Sequence, residues 1–106
     1  MTRRVVLSRT ALTDLGKIGR WIAEAGAPLT AKRYVHRIKA RLVGLEYSAS
    51  AGRLFEGDGT ELRVIGFERR IMIAYRVEKT RIIVTRVFYG GQDWDRILRS
   101  GESGID

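Results

Sequence analysis

The stretch ELRVIGFERRIMIAYRVEKTRIIVTRVFY, Glu61 to Tyr89, decides the fold. It contains three runs rich in Val, Ile, Tyr and Phe: Glu61 to Phe67, Arg70 to Val77 and Arg81 to Tyr89, the composition expected of strands. The joints Phe67-Glu68-Arg69 and Glu78-Lys79-Thr80 leave room only for hairpin turns, so the three runs are predicted to form an antiparallel meander. In the middle run Ile71, Ile73, Tyr75 and Val77 alternate with Arg70, Met72, Ala74 and Arg76; the first set should face a core. With unbroken alternation, Arg86 shares a face with Ile82, Val84 and Phe88, and the open side of the sheet becomes a mixture of Arg and apolar groups; a bulge would break that parity.

Upstream, Arg4-Val5-Val6-Leu7-Ser8 is short and β-branched and reads as a first strand, with Ser8 or Thr10 capping the helix after it. From Ala11 to Ala25 the residues Leu12, Leu15, Ile18 and Ile22 recur at helical spacing. Gly26 supplies a stop and Pro28 a start. A second helix is predicted from Pro28 to Tyr47, with Ala31, Tyr34, Val35, Ile38, Leu42 and Leu45 on its core face and Lys32, Arg33, His36, Arg37, Lys39 and Arg41 on its flanks. Residues 48–60, with Ser48, Ser50, Gly52, Gly57, Asp58 and Gly59, read as a loop. After Gly90-Gly91, Asp93 to Leu98 fits a short helix and Arg99 to Asp106 a loose tail. The sum is one α+β domain over residues 1–106: an N-terminal strand, an antiparallel helical hairpin packed on one face of a mainly antiparallel sheet, and a short C-terminal helix.

The 106 residues include no Cys, which excludes disulfides and thiolate chemistry, and a single His36, which excludes a His-rich zinc site and an ordinary Ser-His-Asp arrangement. His36 on a charged helix flank reads as a solvated side chain. No stretch approaches the ~20 apolar residues of a membrane span, and the basic start leads into alternating residues, so a cytoplasmic protein without membrane partners is expected. The net charge of +8 is unevenly placed: residues 1–45 carry ten Lys/Arg against Asp14 and Glu24, and the remainder is neutral. Such asymmetry points to an anionic partner, nucleic acid or an acidic protein segment.

Several local sequences occur in a telling order. Ala11-Leu12-Thr13-Asp14-Leu15, then Ile18, then Trp21-Ile22-Ala23, is similar to an A-x-x-D-L … I … W/Y-I-A pattern. Gly26-Ala27-Pro28 with Ala31, Arg33 and Tyr34 is similar to G-x-P-x-x-A-x-R-F/Y. Leu62-Arg63-Val64, Ile73-Ala74-Tyr75-Arg76-Val77 and Arg86-Val87-Phe88-Tyr89-Gly90-Gly91-Gln92-Asp93-Trp94 come next in the chain. Together they resemble the RelE/ParE toxin superfamily, and its ParE-like branch over residues 4–98. Tyr89 stands where that branch often has His, and Gln92 where it often has Arg.

The resemblance implies the toxin of a type II toxin-antitoxin system. A ParE-like chain is not an enzyme: it blocks replication by binding DNA gyrase, needs no cofactor or metal, and is neutralised by a cognate antitoxin in a hetero-oligomer. The alternatives are a RelE-like ribosome-dependent endoribonuclease cutting messenger RNA, or an inactive member acting only as a binding module. A nuclease would draw on Arg63 and Arg86 for phosphate and Tyr89 for proton transfer. The expected antitoxin surface is Arg70, Met72, Arg76, Arg86 and Phe88 on the open sheet face. Contact with gyrase or its bound DNA is assigned to the row Arg33, Arg37 and Arg41, spaced i, i+4, i+8, and to Trp94, Ile97 and Leu98.

Overall fold

The computed structural model describes residues 3–56 and 61–100. A first strand, β1 (Arg4–Leu7), leads into helix α1 (Arg9–Glu24). Ser8 sits between them as N-cap: its hydroxyl accepts from the Ala11 amide at 3.0 Å and donates to the Thr85 carbonyl at 2.9 Å. Gly26, at φ 90°, makes the left-handed turn that ends α1, and Pro28 opens α2 (Pro28–Gly44), which tightens into a 3₁₀ turn at Leu45–Tyr47.

The remaining sheet strands are β2 (Arg53–Glu56), β3 (Glu61–Phe67), β4 (Ile71–Val77) and β5 (Arg81–Tyr89), and the chain ends in α3 (Trp94–Arg99). The spatial order is β1-β5-β4-β3-β2, antiparallel throughout except that β1 pairs in parallel with β5. The meander is as the spacing predicts; β2 is an additional strand inside the segment read as loop. Gly57, Asp58 and Gly59 of that segment, and the tail beyond Ser100, lie outside the described residues.

Two cores lie on opposite faces of the sheet. The larger joins Leu15 and Ile18 of α1, Tyr34, Ile38 and Leu42 of α2, and Ile71, Ile73, Tyr75, Ile82, Val84 and Val87 of the sheet. Ile71, Ile73 and Tyr75 therefore face the helices as alternation requires. The stripe on α1 is centred one residue away from the expected one: Ala11, Asp14, Leu15 and Ile18 are buried, while Leu12 is 56% exposed.

The smaller core occupies the face expected to be open. Phe55 of β2, Leu62 and Val64 of β3, Ala74 of β4 and Phe88 of β5 pack with Leu98 of α3, flanked by Met72, Trp94 and Ile97. The short helix is thus a cover for the far face, capped by Asp93, whose carboxylate accepts from the Arg96 amide at 3.3 Å.

A bulge redirects β5. Ala74 pairs with Arg86 but Tyr75 pairs with Val84, leaving Thr85 as the extra residue, buried, with its hydroxyl donating to the Ala74 carbonyl at 3.2 Å. Ile82, Val84 and Val87 all enter the larger core, and Phe88 the smaller one. The uniform parity that placed Arg86 and Phe88 on one face with Ile82 and Val84 therefore fails at Thr85.

Candidate functional site

The helical hairpin carries the charge. Between Arg9 and Gly44 there are eight Lys/Arg against two acids, Asp14 and Glu24. Asp14 is turned inward and already neutralised. Its Oδ2 accepts from Arg86 Nε at 2.8 Å and from the Val87 amide at 2.9 Å, and its Oδ1 accepts from Arg86 Nη2 at 3.1 Å. The two side chains are only 7% and 13% exposed.

The location explains the arrangement. β1 pairs with β5 only as far as Val84, so the next part of β5 would present a bare edge. Side chains occupy it instead: Ser8 donates to the Thr85 carbonyl, Asp14 accepts from the Val87 amide, and Gln92 Oε1 accepts from the Tyr89 amide at 2.9 Å. Both the Asp of A-x-x-D-L and the Gln at the departure from the family pattern thus close the sheet edge.

The expected basic row on α2 divides into three environments. Arg33 is exposed and borders a shallow hollow with Leu29, Lys32, His36 and Arg37. Arg37 forms a two-pronged pair with Glu68, Nε to Oε2 and Nη2 to Oε1 both 2.9 Å, and its guanidinium lies 5.0 Å from the centre of the Tyr34 ring. Arg41 reaches the Ser48 hydroxyl at 3.5 Å.

Glu68 belongs to the β3–β4 turn, where Glu68 and Arg69 take φ of 50° and 67° without being glycine. Such conformations cost about 1–2 kcal/mol per residue, so the turn is held by something beyond itself. The Arg37 pair ties it to α2. Hydrogen bonds from Arg37 hold the Glu68 carboxyl below its ordinary pKa, so this tie is complete at neutral pH and is lost as pH falls through the lowered value.

Where α1, α2, β5 and this turn converge there is a recess of about 280 Å³ bounded by Ile22, Thr30, Tyr34, Glu68, Arg70 and Tyr89. Its walls are aromatic: the Tyr89 ring centre lies 6.2 Å from that of Trp21 and 6.2 Å from that of Tyr34, the latter pair edge-on. Burial, and after it the nearby Glu68 charge, raises the Tyr34 pKa.

The candidate nuclease set does not come together. Arg63 donates to the Gly52 carbonyl at 2.7 Å, beside Tyr75, whose hydroxyl accepts from the Gly52 amide at 2.9 Å and donates to the Ala49 carbonyl at 2.7 Å. A Cβ on Gly52 would lie 2.7 Å from that hydroxyl, so the β2 approach requires glycine here. Arg63 pairs with Tyr75 and Tyr89 with Ile71, so the two are offset by about 13 Å along the strand direction and lie on strands separated by β4. Arg86 is bound to Asp14 across the sheet edge.

The residues assigned to the open sheet face are also redistributed. Phe88 is 2% exposed, beneath α3, and is not available as a dock. Met72 is half-buried against the same core, and Arg76 is paired with Glu78 at 3.1 Å. Arg70 is exposed, in the β3–β4 turn. In α3, Leu98 is fully buried and cannot meet a target, whereas Trp94 and Ile97 keep partly exposed faces. Trp94 packs on Phe55 with ring centres 5.6 Å apart, beneath the Arg53 guanidinium at 5.4 Å.

The family profile described as "ParE toxin of type II toxin-antitoxin system, parDE" matches residues 5–94. The chain belongs to the ParE toxin family. Among solved structures it is similar to one titled "Chromosomal ParDE TA system from P. aeruginosa", with a TM-score of 0.73 and 21% identity, covering 84% of this chain and 97% of that one. At that identity the likeness speaks for the fold. A comparison with curated proteins finds no significant match.

For a ParE-family chain, the residues that sequence reading passed over are instructive. Asp14 had a visible signal, an acid on the buried stripe between Ala11 and Leu15. Glu68 and Arg69 had another, a hairpin joint lacking the Gly or Asn that left-handed turns favour. Among the described residues no group of three or more acids and His lies close enough to hold a metal, and no helix is long and apolar enough to cross a membrane.

Proposed function

We propose that this chain is a gyrase-poisoning toxin of a type II toxin-antitoxin system, acting in the cytoplasm by binding rather than by catalysis, and neutralised by a cognate antitoxin in a hetero-oligomer. Membership of the ParE family supports the toxin reading. The observation that carries the non-catalytic part is the fate of the three nuclease candidates: Arg86 is bound to Asp14, Arg63 holds the Gly52 carbonyl, and Tyr89 sits in an aromatic stack away from both. Cleavage through a 2′-hydroxyl needs base, acid and phosphate stabiliser around one reacting centre. These three side chains are each committed to holding the fold.

Gyrase contact is assigned to the basic outer face of α2, where Arg33 and Arg37 of the Arg33, Arg37 and Arg41 row are exposed, and to the exposed sides of Trp94 and Ile97. Induction in growing cells tests the reading: DNA synthesis is expected to stop before protein synthesis, and co-expression of the antitoxin to restore both. Protein synthesis stopping first would favour the ribosomal target.

Tyr89→Phe gives a sharper check. The ring contacts with Trp21 and Tyr34 survive this substitution, and in a binding toxin no hydroxyl has to move a proton. Growth arrest by Tyr89→Phe is therefore expected to stay within a few-fold of wild type. A general acid or base lost from a nuclease would reduce activity about 100-fold or more.

A further inference from the structure

The recess between the helical hairpin and the β3–β4 turn has three features that point the same way. First, Tyr34 is 8% exposed and its hydroxyl oxygen is buried with no hydrogen-bond partner among the described residues. Buried polar groups are nearly always paired, so an orphan in the wall of a recess is unusual. Second, the Arg70 guanidinium at the rim makes no hydrogen bond or ion pair among the described residues, whereas Glu68, the acid of the recess, is fully engaged by Arg37. The recess therefore presents one unspent cation and one unspent donor. Third, the turn that supplies Glu68, Arg69 and Arg70 is held with two non-glycine residues at positive φ. Strained backbone of this kind persists where the surroundings fix it, and clusters at ligand clamps.

The size and charge select the ligand. At about 280 Å³ the recess lies just below the ~300–1,000 Å³ of small-molecule sites and has room for one side chain of a partner. The apolar surface of Ile22 and Tyr89 suits an aliphatic stem, and a carboxylate suits Arg70 in a forked pair while accepting from Tyr34. Nucleic acid fits less well, because a phosphate chain is tracked by several spaced cations and Arg70 is the one cation among the residues that bound the recess. The surrounding hairpin, with its excess of Lys/Arg, favours an acidic chain overall.

We propose that this recess is the anchor site for one carboxylate side chain of an acidic polypeptide partner, its stem against Ile22 and Tyr89 and its carboxylate shared between Arg70 and the Tyr34 hydroxyl. That the partner in the cell is the antitoxin rests on the function proposed above; the recess chemistry stands apart from it.

The test is a titration of the full chain, ¹⁵N-labelled, with the capped tripeptides acetyl-Leu-Glu-Leu-amide and acetyl-Leu-Gln-Leu-amide. The Glu peptide should shift the Thr30, Tyr34, Arg70 and Tyr89 amides saturably and bind about tenfold or more tighter than the Gln peptide, the scale of a charge-assisted hydrogen bond. Arg70→Gln should abolish that preference. Tyr34→Phe should weaken the Glu peptide several-fold while raising the melting temperature of the free chain, since it removes an unpaired buried hydroxyl. Equal binding of the two peptides, no saturable shift, a preference that survives Arg70→Gln, or a lowered melting temperature in Tyr34→Phe would each overturn the proposal. So would an oligothymidylate that shifts the same four amides when the Glu peptide does not. No gyrase enters this titration, so Arg70-dependent binding alongside unaffected gyrase would remove the function reading and leave the anchor site in place.

Discussion

Ile38→Asp is expected to leave the chain unfolded at 25 °C, with no cooperative thermal transition by circular dichroism. Ile38 is completely buried in the middle of α2, inside the core shared by both helices and the sheet. The substitution removes an aliphatic side chain whose truncation alone costs about 2–5 kcal/mol. It also places a carboxylate where burial without a partner costs several kcal/mol more. A domain of this size has a total stability of about 5–15 kcal/mol, so the combined loss consumes most or all of it. Ile22→Asp, which periodicity alone ranks as equally damaging, should be milder. Ile22 is only partly buried, at the wall of the recess. An Ile38→Asp chain that melts at the wild-type temperature would remove α2 from the seam.

The second large effect belongs to a polar residue. Asp14→Ala is expected to destabilise the chain by about 3–5 kcal/mol, the scale for removing one partner of a buried ion pair. The carboxylate accepts three hydrogen bonds, from Arg86 Nε, Arg86 Nη2 and the Val87 amide. Its loss leaves a cation with a nearly buried side chain facing alanine and uncovers an edge amide of β5. At about 4–8 °C per kcal/mol for a domain near this size, the melting temperature should fall by roughly 12–40 °C. Asp14→Ala combined with Arg86→Met should recover part of the loss, because the cation that the carboxylate balanced is then gone as well. A double mutant no more stable than Asp14→Ala would mean that the edge amide, and not the charge, sets the cost.

These residues show where sequence reading reaches and where it stops. Helical spacing locates α1 and α2 because the apolar residues repeat within one element, and hairpin joints locate β3, β4 and β5 because they are local. The partner of Asp14 is not local: Arg86 lies 72 positions away, and spacing along a helix does not say which strand edge the helix will cover. The strand β2 escapes because it has four residues and only Phe55 points into a core, too short a pattern to show a period. Thr85 is a different kind of miss. One extra residue reverses the parity of everything after it, so an unbroken alternation that puts Arg86 and Phe88 on the far face carries Ile82 and Val84 there too, although both of these face the helices.

The site divides in the same way. Strand alternation assigns Arg70 to a partner-binding sheet face, but its position in a strained turn beside Tyr34 depends on three elements meeting. The apolar residues Trp94, Ile97 and Leu98 were legible as a short amphipathic helix. Their placement over Phe88 was not, because an apolar sheet face and an apolar helix each read as a docking surface until one is seen to cover the other.

Toxicity by binding gyrase is tested most directly with purified chain in two reactions, one holding gyrase, ATP and relaxed plasmid, the other translating ribosomes with messenger RNA. Supercoiling is expected to be lost at toxin concentrations that leave the messenger RNA intact. Messenger RNA cut in the presence of ribosomes, with supercoiling unaffected, would contradict a gyrase-binding toxin.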